Sequence, residues 1–129
     1  MLAGHDVISL LPTRDAERSR AFYEGTLGLR FIEDDGFALA FEVGQRFLRI
    51  TRVETLTPQP FSVIGWMVPD VAATAAQLVE AGVTLRRYPF LEQDDLGVWA
   101  TPDGRARIIW FEDPDGNLLS AVETQPSRP

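Results

Sequence analysis

The side chains that most often carry chemistry are scarce in this chain. There is one histidine, His5, and no cysteine, so thiolate metal sites and cysteine nucleophiles are absent. No Gly-x-Ser-x-Gly, phosphate loop or Gly-x-Gly-x-x-Gly occurs, which removes the usual signatures of acyl transfer, nucleotide hydrolysis and dinucleotide binding. Three carboxylate pairs lie close in sequence: Asp34 with Asp35, Asp94 with Asp95, and Asp113 with Asp115. Two carboxylates can divide acid and base roles when their environments push their pKa values apart. Solvated turn residues are the plainer reading of all three. The aromatic side chains make a richer set. Phe37, Phe41, Tyr88, Phe90, Trp99 and Trp110 fall in hairpin-like segments, where flat faces suit an aromatic or cationic ligand. Core packing competes for each of them singly. As a set they are suggestive, because Trp99 flanks the acidic residues Glu92, Asp94 and Asp95.

The elements that must position these residues follow from periodicity and turn chemistry. Residues 7–11 are a short branched run stopped by Pro12, which predicts a strand. Thr13 or Asp15 can cap a following helix that Phe22, Tyr23 and Leu27 anchor and that Gly25 and Gly28 end. Strand-like runs at 29–33, 37–43 and 46–53 are separated by Asp35-Gly36 and Gly44-Gln45, which predicts hairpins. After a polar, proline-containing stretch the order restarts. Residues 62–68 predict a strand, and Asp70 caps a helix with Val71, Ala75, Leu78 and Val79 on one face, ended by Gly82. Strands follow at 84–88, 97–101 and 107–112, with a last one at 118–123; Pro102-Asp103-Gly104 and Pro114-Asp115-Gly116 are turns.

A strand, a helix and three strands, written twice with one further strand in the second copy, is an internal repeat. The expected fold is therefore α+β: two βαβββ modules forming a curved mixed sheet around a cleft, helices outside. Module 1 spans about 5–54, a linker 55–61 and module 2 about 62–125, within one domain of 129 residues.

Composition narrows the partners. Hydrophobic residues make up 45% and charged residues 24%, ordinary for a soluble protein, and no segment is long and apolar enough to span a membrane. The N-terminus lacks a basic, then apolar, leader pattern, so a cytoplasmic location is expected. The net charge of −7 argues against nucleic acid, and basic residues cluster only in short pairs such as Arg86-Arg87.

Two segments carry a family resemblance: Asp15 through Ser19 to Ala21-Phe22-Tyr23 and Leu27-Gly28, and Phe111-Glu112-Asp113-Pro114-Asp115-Gly116-Asn117-Leu118. With the repeated element order, the chain resembles the vicinal oxygen chelate superfamily of glyoxalases, bleomycin-resistance proteins and dioxygenases. The resemblance implies a divalent ion held by histidine, glutamate or glutamine side chains in the metalloenzymes. Their first ligand lies seven residues before the capping aspartate, which here reaches Ile8, and Val63 in the second module. The last, a glutamate, lies four residues after the glycine of Asp-Pro-Asp-Gly, which here is Ser120. Aligning Leu48-Arg49-Ile50 with Leu119-Ser120-Ala121 puts Arg49 at the fourth position. Isoleucine and valine cannot bind a metal, serine is a poor sole ligand, and arginine is always cationic. His5 precedes Ile8 by three, so on a regular strand it faces the other side and is expected to be exposed.

No metal or other cofactor is therefore expected. Alternation adds Leu10, Gly65, Met67, Leu118 and Val122 to an apolar cleft wall. The expected ligand-binding residues are Ile8, Phe37, Arg49, Val63, Met67, Tyr88, Phe90, Trp99, Trp110 and Ser120, with no catalytic residue assigned. Arg49 has two readings: a bidentate partner for a ligand carboxylate or phosphate, or a surface arginine on an edge strand. The leading function is metal-free binding of a small molecule, as in the bleomycin-resistance branch, and the resemblance implies a homodimer. One alternative is a metal-dependent lyase, isomerase or dioxygenase using His5, Glu42 or Glu123 after a register slip. Another is an accessory domain that only contacts proteins, which predicts an exposed apolar patch.

Overall fold

Capping aspartates and strand alternation build each half of the chain. The computed structural model describes residues 1–124, and the chain divides into two compact units, Met1–Pro58 and the chain from Gln59 onward. Gln125, the last residue of the expected second module, lies outside the described residues.

In the first unit, β1 (Ser9–Thr13) leads to Asp15, whose extended backbone and side chain cap α1 (Ala16–Arg20) by accepting from the Arg18 amide at 3.1 Å. The helix then widens into a π-helical turn over Ala21–Thr26, closed by the Leu27 amide on the Phe22 carbonyl, and leaves through Gly28 at φ 76°. Strands β2 (Arg30–Asp34), β3 (Ala38–Val43) and β4 (Arg46–Arg52) complete a sheet of order β1-β4-β3-β2. The opening strand does not stop at Pro12 as expected. It pairs with β4 in parallel at the edge of this sheet, where the missing proline N–H removes no ladder bond. Leu39, Phe41, Leu48 and Ile50 alternate onto the face packed by α1, where Tyr23 lies fully buried with its ring 6.0 Å from that of Phe41. Phe41 is thus core and offers no face to a ligand.

Two arginines of β4 hold the β2–β3 hairpin. Arg52 grips Asp34 bidentately at 2.7 and 2.6 Å, and Arg49 donates to Asp35 at 2.9 Å. Asp35 also accepts from the amides of Phe37 and Ala38. The Arg52 hydrogen bond, then the Gly36 amide, lowers the Asp34 pKa from 3.8 to about 2; the Arg49 hydrogen bond, then those amides, does the same for Asp35. A folded-state pKa below the unfolded one stabilises above the unfolded value, and the contribution disappears as pH falls through the folded one. The hairpin is therefore expected to loosen between pH 3.8 and about 2. Hydrogen exchange at the Phe37 and Ala38 amides reads this directly, and protection unchanged down to that lower pH would contradict it.

In the second unit, β5 (Ile64–Met67) is followed by Asp70, which caps α2 (Val71–Glu80) through the Ala73 amide at 3.1 Å. Val71, Ala75 and Leu78 are buried, but Val79, expected beside them, is exposed because a helix turned by a further residue leaves the stripe. Strands β6 (Trp99–Ala100), β7 (Ala106–Glu112) and β8 (Leu118–Thr124) form a sheet of order β5-β8-β7-β6. The fold is α+β with two βαβββ modules, as the element order implied. Residues 84–88, expected as a strand, form a loop that meets β7 through one bridge, Leu85 to Phe111, and the Arg86 amide. The Gln93 side chain takes the place of a strand partner. Its oxygen accepts from the Tyr88 amide, and its nitrogen donates to the Arg86 and Gly97 carbonyls. The turn before β8 is built on Asp113, which is 6% exposed and accepts from the amides of Asp115 and Asn117 and from the Asn117 side chain.

Candidate functional site

Register decides which side chains share a face. In the second sheet, Trp66, Ile109, Phe111, Leu119 and Ala121 line up on one side, and α2 packs on β7 and β8 there. Trp66 stacks on Phe111 at 6.3 Å. The opposite face carries Gly65 and Met67 from β5, Ser120 and Val122 from β8, and Ile108 and Trp110 from β7. Trp99 of β6 pairs with Ile108 and so joins that face.

Four of the expected binding residues form one connected aromatic group here. Trp110 is its hub, edge-on to Tyr88 at 5.5 Å and tilted against Trp99 at 6.1 Å, while Phe90 lies 5.4 Å from Tyr88. Phe90 is 78% exposed, so the group continues outward as uncovered apolar surface, and Met67, 87% exposed, stands on the same sheet face at its other edge. One side of Tyr88 is held by the Arg86 guanidinium, 5.4 Å from the ring centre, which is itself paired to Glu112 at 2.6 Å. The Glu112 hydrogen bond raises the Arg86 pKa. The loop that brings Tyr88 and Phe90 to Trp110 is the one that Gln93 organises. A lone glutamine between two acidic residues gives no local sign of that role.

Of the acidic residues near Trp99, Asp94 serves the backbone with its side chain. Asp94 accepts from the Leu96 and Val98 amides, and Arg87 donates to the Asp94 and Asp95 carbonyls.

Each expected metal-ligand position can now be placed within its own unit. Ile8 stands just before β1 and is 45% exposed. Arg49 faces away from α1 beside Leu10 and Ala40, on an internal strand instead of an edge, with its charge met by Asp35. Phe37 lies exposed in the bend before β3. Val63 precedes β5, and Ser120 is buried, with Oγ 2.8 Å from Ser62 Oγ. The other carboxylates that could have served are engaged: Glu42 with Arg30 at 3.0 Å, and Glu123 with the Val71 amide at the start of α2. His5 is exposed in a turn outside any strand. Among the described residues, no group of three or more histidine, aspartate or glutamate side chains could hold a metal ion.

A family model described as the Glyoxalase/Bleomycin resistance protein/Dioxygenase superfamily matches residues 5–120. The chain belongs to this superfamily. Solved structures of glyoxalase-superfamily type resemble it over nearly full length. An antibiotic-binding protein, TnmS3 from Streptomyces sp. CB03234, is 24% identical with a TM-score of 0.73, covering 97% of this chain and 99% of that one. A bleomycin resistance determinant encoded on the transposon Tn5 is 22% identical with a TM-score of 0.74, covering 95% and 99%. The fosfomycin resistance protein FosX from Listeria monocytogenes is 16% identical with a TM-score of 0.75, covering 97% and 96%. At these identities the likeness is one of fold. No curated protein matches the chain by sequence. The divalent ion that the superfamily's metalloenzymes hold does not fit the residues at the expected ligand positions: two hydrocarbons, an ion-paired arginine and a hydrogen-bonded serine. Among the described residues no helix is long and apolar enough to cross a membrane.

Proposed function

We propose that this superfamily member binds a small molecule without a metal and sequesters it chemically unchanged. The observation that carries this reading is the connected aromatic face of Tyr88, Phe90, Trp99 and Trp110, in a chain whose metal-ligand positions hold Ile8, Arg49, Val63 and Ser120. Flat rings on a sheet face that also carries an exposed methionine suit an aromatic or cationic aromatic ligand, since stacking and cation attraction both need an uncovered ring face. The antibiotic-binding and bleomycin-resistance structures of the same fold support a ligand of that kind. Val63 and Met67 extend this face. Ile8, Phe37 and Arg49 are the candidates on the first unit, where Arg49 would meet an anionic group in competition with Asp35. A homodimer and a cytoplasmic location belong to the same proposal.

The test combines metal analysis with ligand titration. Elemental analysis after incubation with zinc, nickel, manganese and iron(II) is expected to find no stoichiometric metal. Thermal shift and tryptophan fluorescence against a panel of aromatic and cationic natural products are expected to find binders. A stoichiometric divalent ion would replace this reading with the metalloenzyme one, and a broad panel without a binder would remove the ligand site.

A further inference from the structure

A hydroxyl lies at the floor of the aromatic face, and its partners dictate which way its proton points. Ser62 Oγ lies 3.0 Å from the Ile64 carbonyl oxygen and 2.8 Å from Ser120 Oγ. A carbonyl can only accept, so the single hydroxyl proton of Ser62 goes to Ile64. The proton in the contact between the serines must then come from Ser120. Ser120 Oγ is left with lone pairs to offer and no proton to give.

Its position on the face is equally determined. Ser120 sits directly across from Trp110 on β7 and from Gly65 on β5, and is 6% exposed. A Cβ at residue 65 would lie 2.6 Å from Ser120 Oγ, so the hydroxyl keeps this position because residue 65 is glycine. The nearby charges on this side, Glu112 and Arg86, are spent on each other.

We propose that Ser62 and Ser120 form a directional hydroxyl relay that makes the floor of the aromatic face a hydrogen-bond acceptor. The ligands selected are then flat aromatics bearing an N–H or O–H donor, in preference to ligands of the same shape without one. This rests on the binding reading above and deepens it by naming the ligand class. A ligand that covers Ser120 Oγ without donating to it strips an acceptor of water and returns nothing, and this is how a polar site rejects an analogue lacking the matching group.

Indole, 1-methylindole and quinoline are the probes, titrated by NMR on the tryptophan side-chain N–H signals of the parent, Ser120→Ala and Ser62→Ala proteins. The parent is expected to bind indole about fivefold more tightly than 1-methylindole, the size of one net neutral hydrogen bond. Ser120→Ala should bring the two together. Ser62→Ala removes the acceptor that holds the Ser120 proton, so Ser120 can donate and the affinity for quinoline, an acceptor, should rise. The quinoline arm separates hydrogen bonding from the bulk of the methyl group. Equal affinities for indole and 1-methylindole in the parent, a preference surviving in Ser120→Ala, or quinoline binding unmoved in Ser62→Ala would each overturn the relay while leaving the binding face standing. No shift with any of the three probes would remove the face and the relay together.

Discussion

Asp113→Ala is expected to lower stability by roughly 3 to 5 kcal/mol, the range for breaking a buried, charged hydrogen-bond network. The carboxylate is almost fully enclosed and accepts from two amides and one side-chain amide of the Asp115–Asn117 stretch. Alanine takes the shared carboxylate away from those donors, while the Asp113 amide and the Asn117 carbonyl still have to close the same turn at 3.0 Å. An asparagine side chain would keep one acceptor oxygen, so Asp113→Asn should cost about half as much. Urea denaturation of the three proteins measures both steps. A midpoint for Asp113→Ala equal to the parent's would show that water replaces the carboxylate. Asp113 thus builds the turn, but neither it nor Asp115, 8% exposed, is the solvated turn residue that the sequence suggested.

Trp110→Ala is expected to weaken ligand binding at least tenfold, because Trp110 touches both other arms of the aromatic group and removing it disconnects Tyr88 from Trp99. Trp66→Phe is the matched control. Trp66 stacks on Phe111 on the other side of the same sheet, so its replacement should leave affinity within about twofold, provided the fold is kept. Circular dichroism and the melting temperature of each variant separate loss of the site from loss of the fold. Affinity falling equally in both variants would mean that the face containing Trp110 is not the binding face.

The two tryptophans also show how far the chain could be read unaided. Trp66, Trp99 and Trp110 all lie in strand-like segments, and nothing local to Trp110 distinguishes it from Phe41, which the structure buries against Tyr23. Membership of the aromatic group depends on register: Trp110 shares its face with Ser120, and Trp99 with Ile108. It also depends on the 84–97 loop, which owes its path to the side chain of Gln93. Arg49 likewise reads as a free cation until the hairpin brings Asp35 to it from fourteen residues away.

Signals acting within about four residues were therefore legible in the sequence. Asp15 and Asp70 cap helices because their side chains reach amides three positions on, and the Asp-Pro-Asp-Gly-Asn turn closes on itself. The repeated order of elements needed no coordinates either. Tertiary structure alone decided which rings meet, which charges are already spent, and that Ser62 and Ser120, fifty-eight positions apart, share a hydrogen bond. The physical reason is range: a cap or a turn is satisfied by its own neighbours, whereas a binding face is assembled by strand pairing, which places partners by register and not by proximity in the chain.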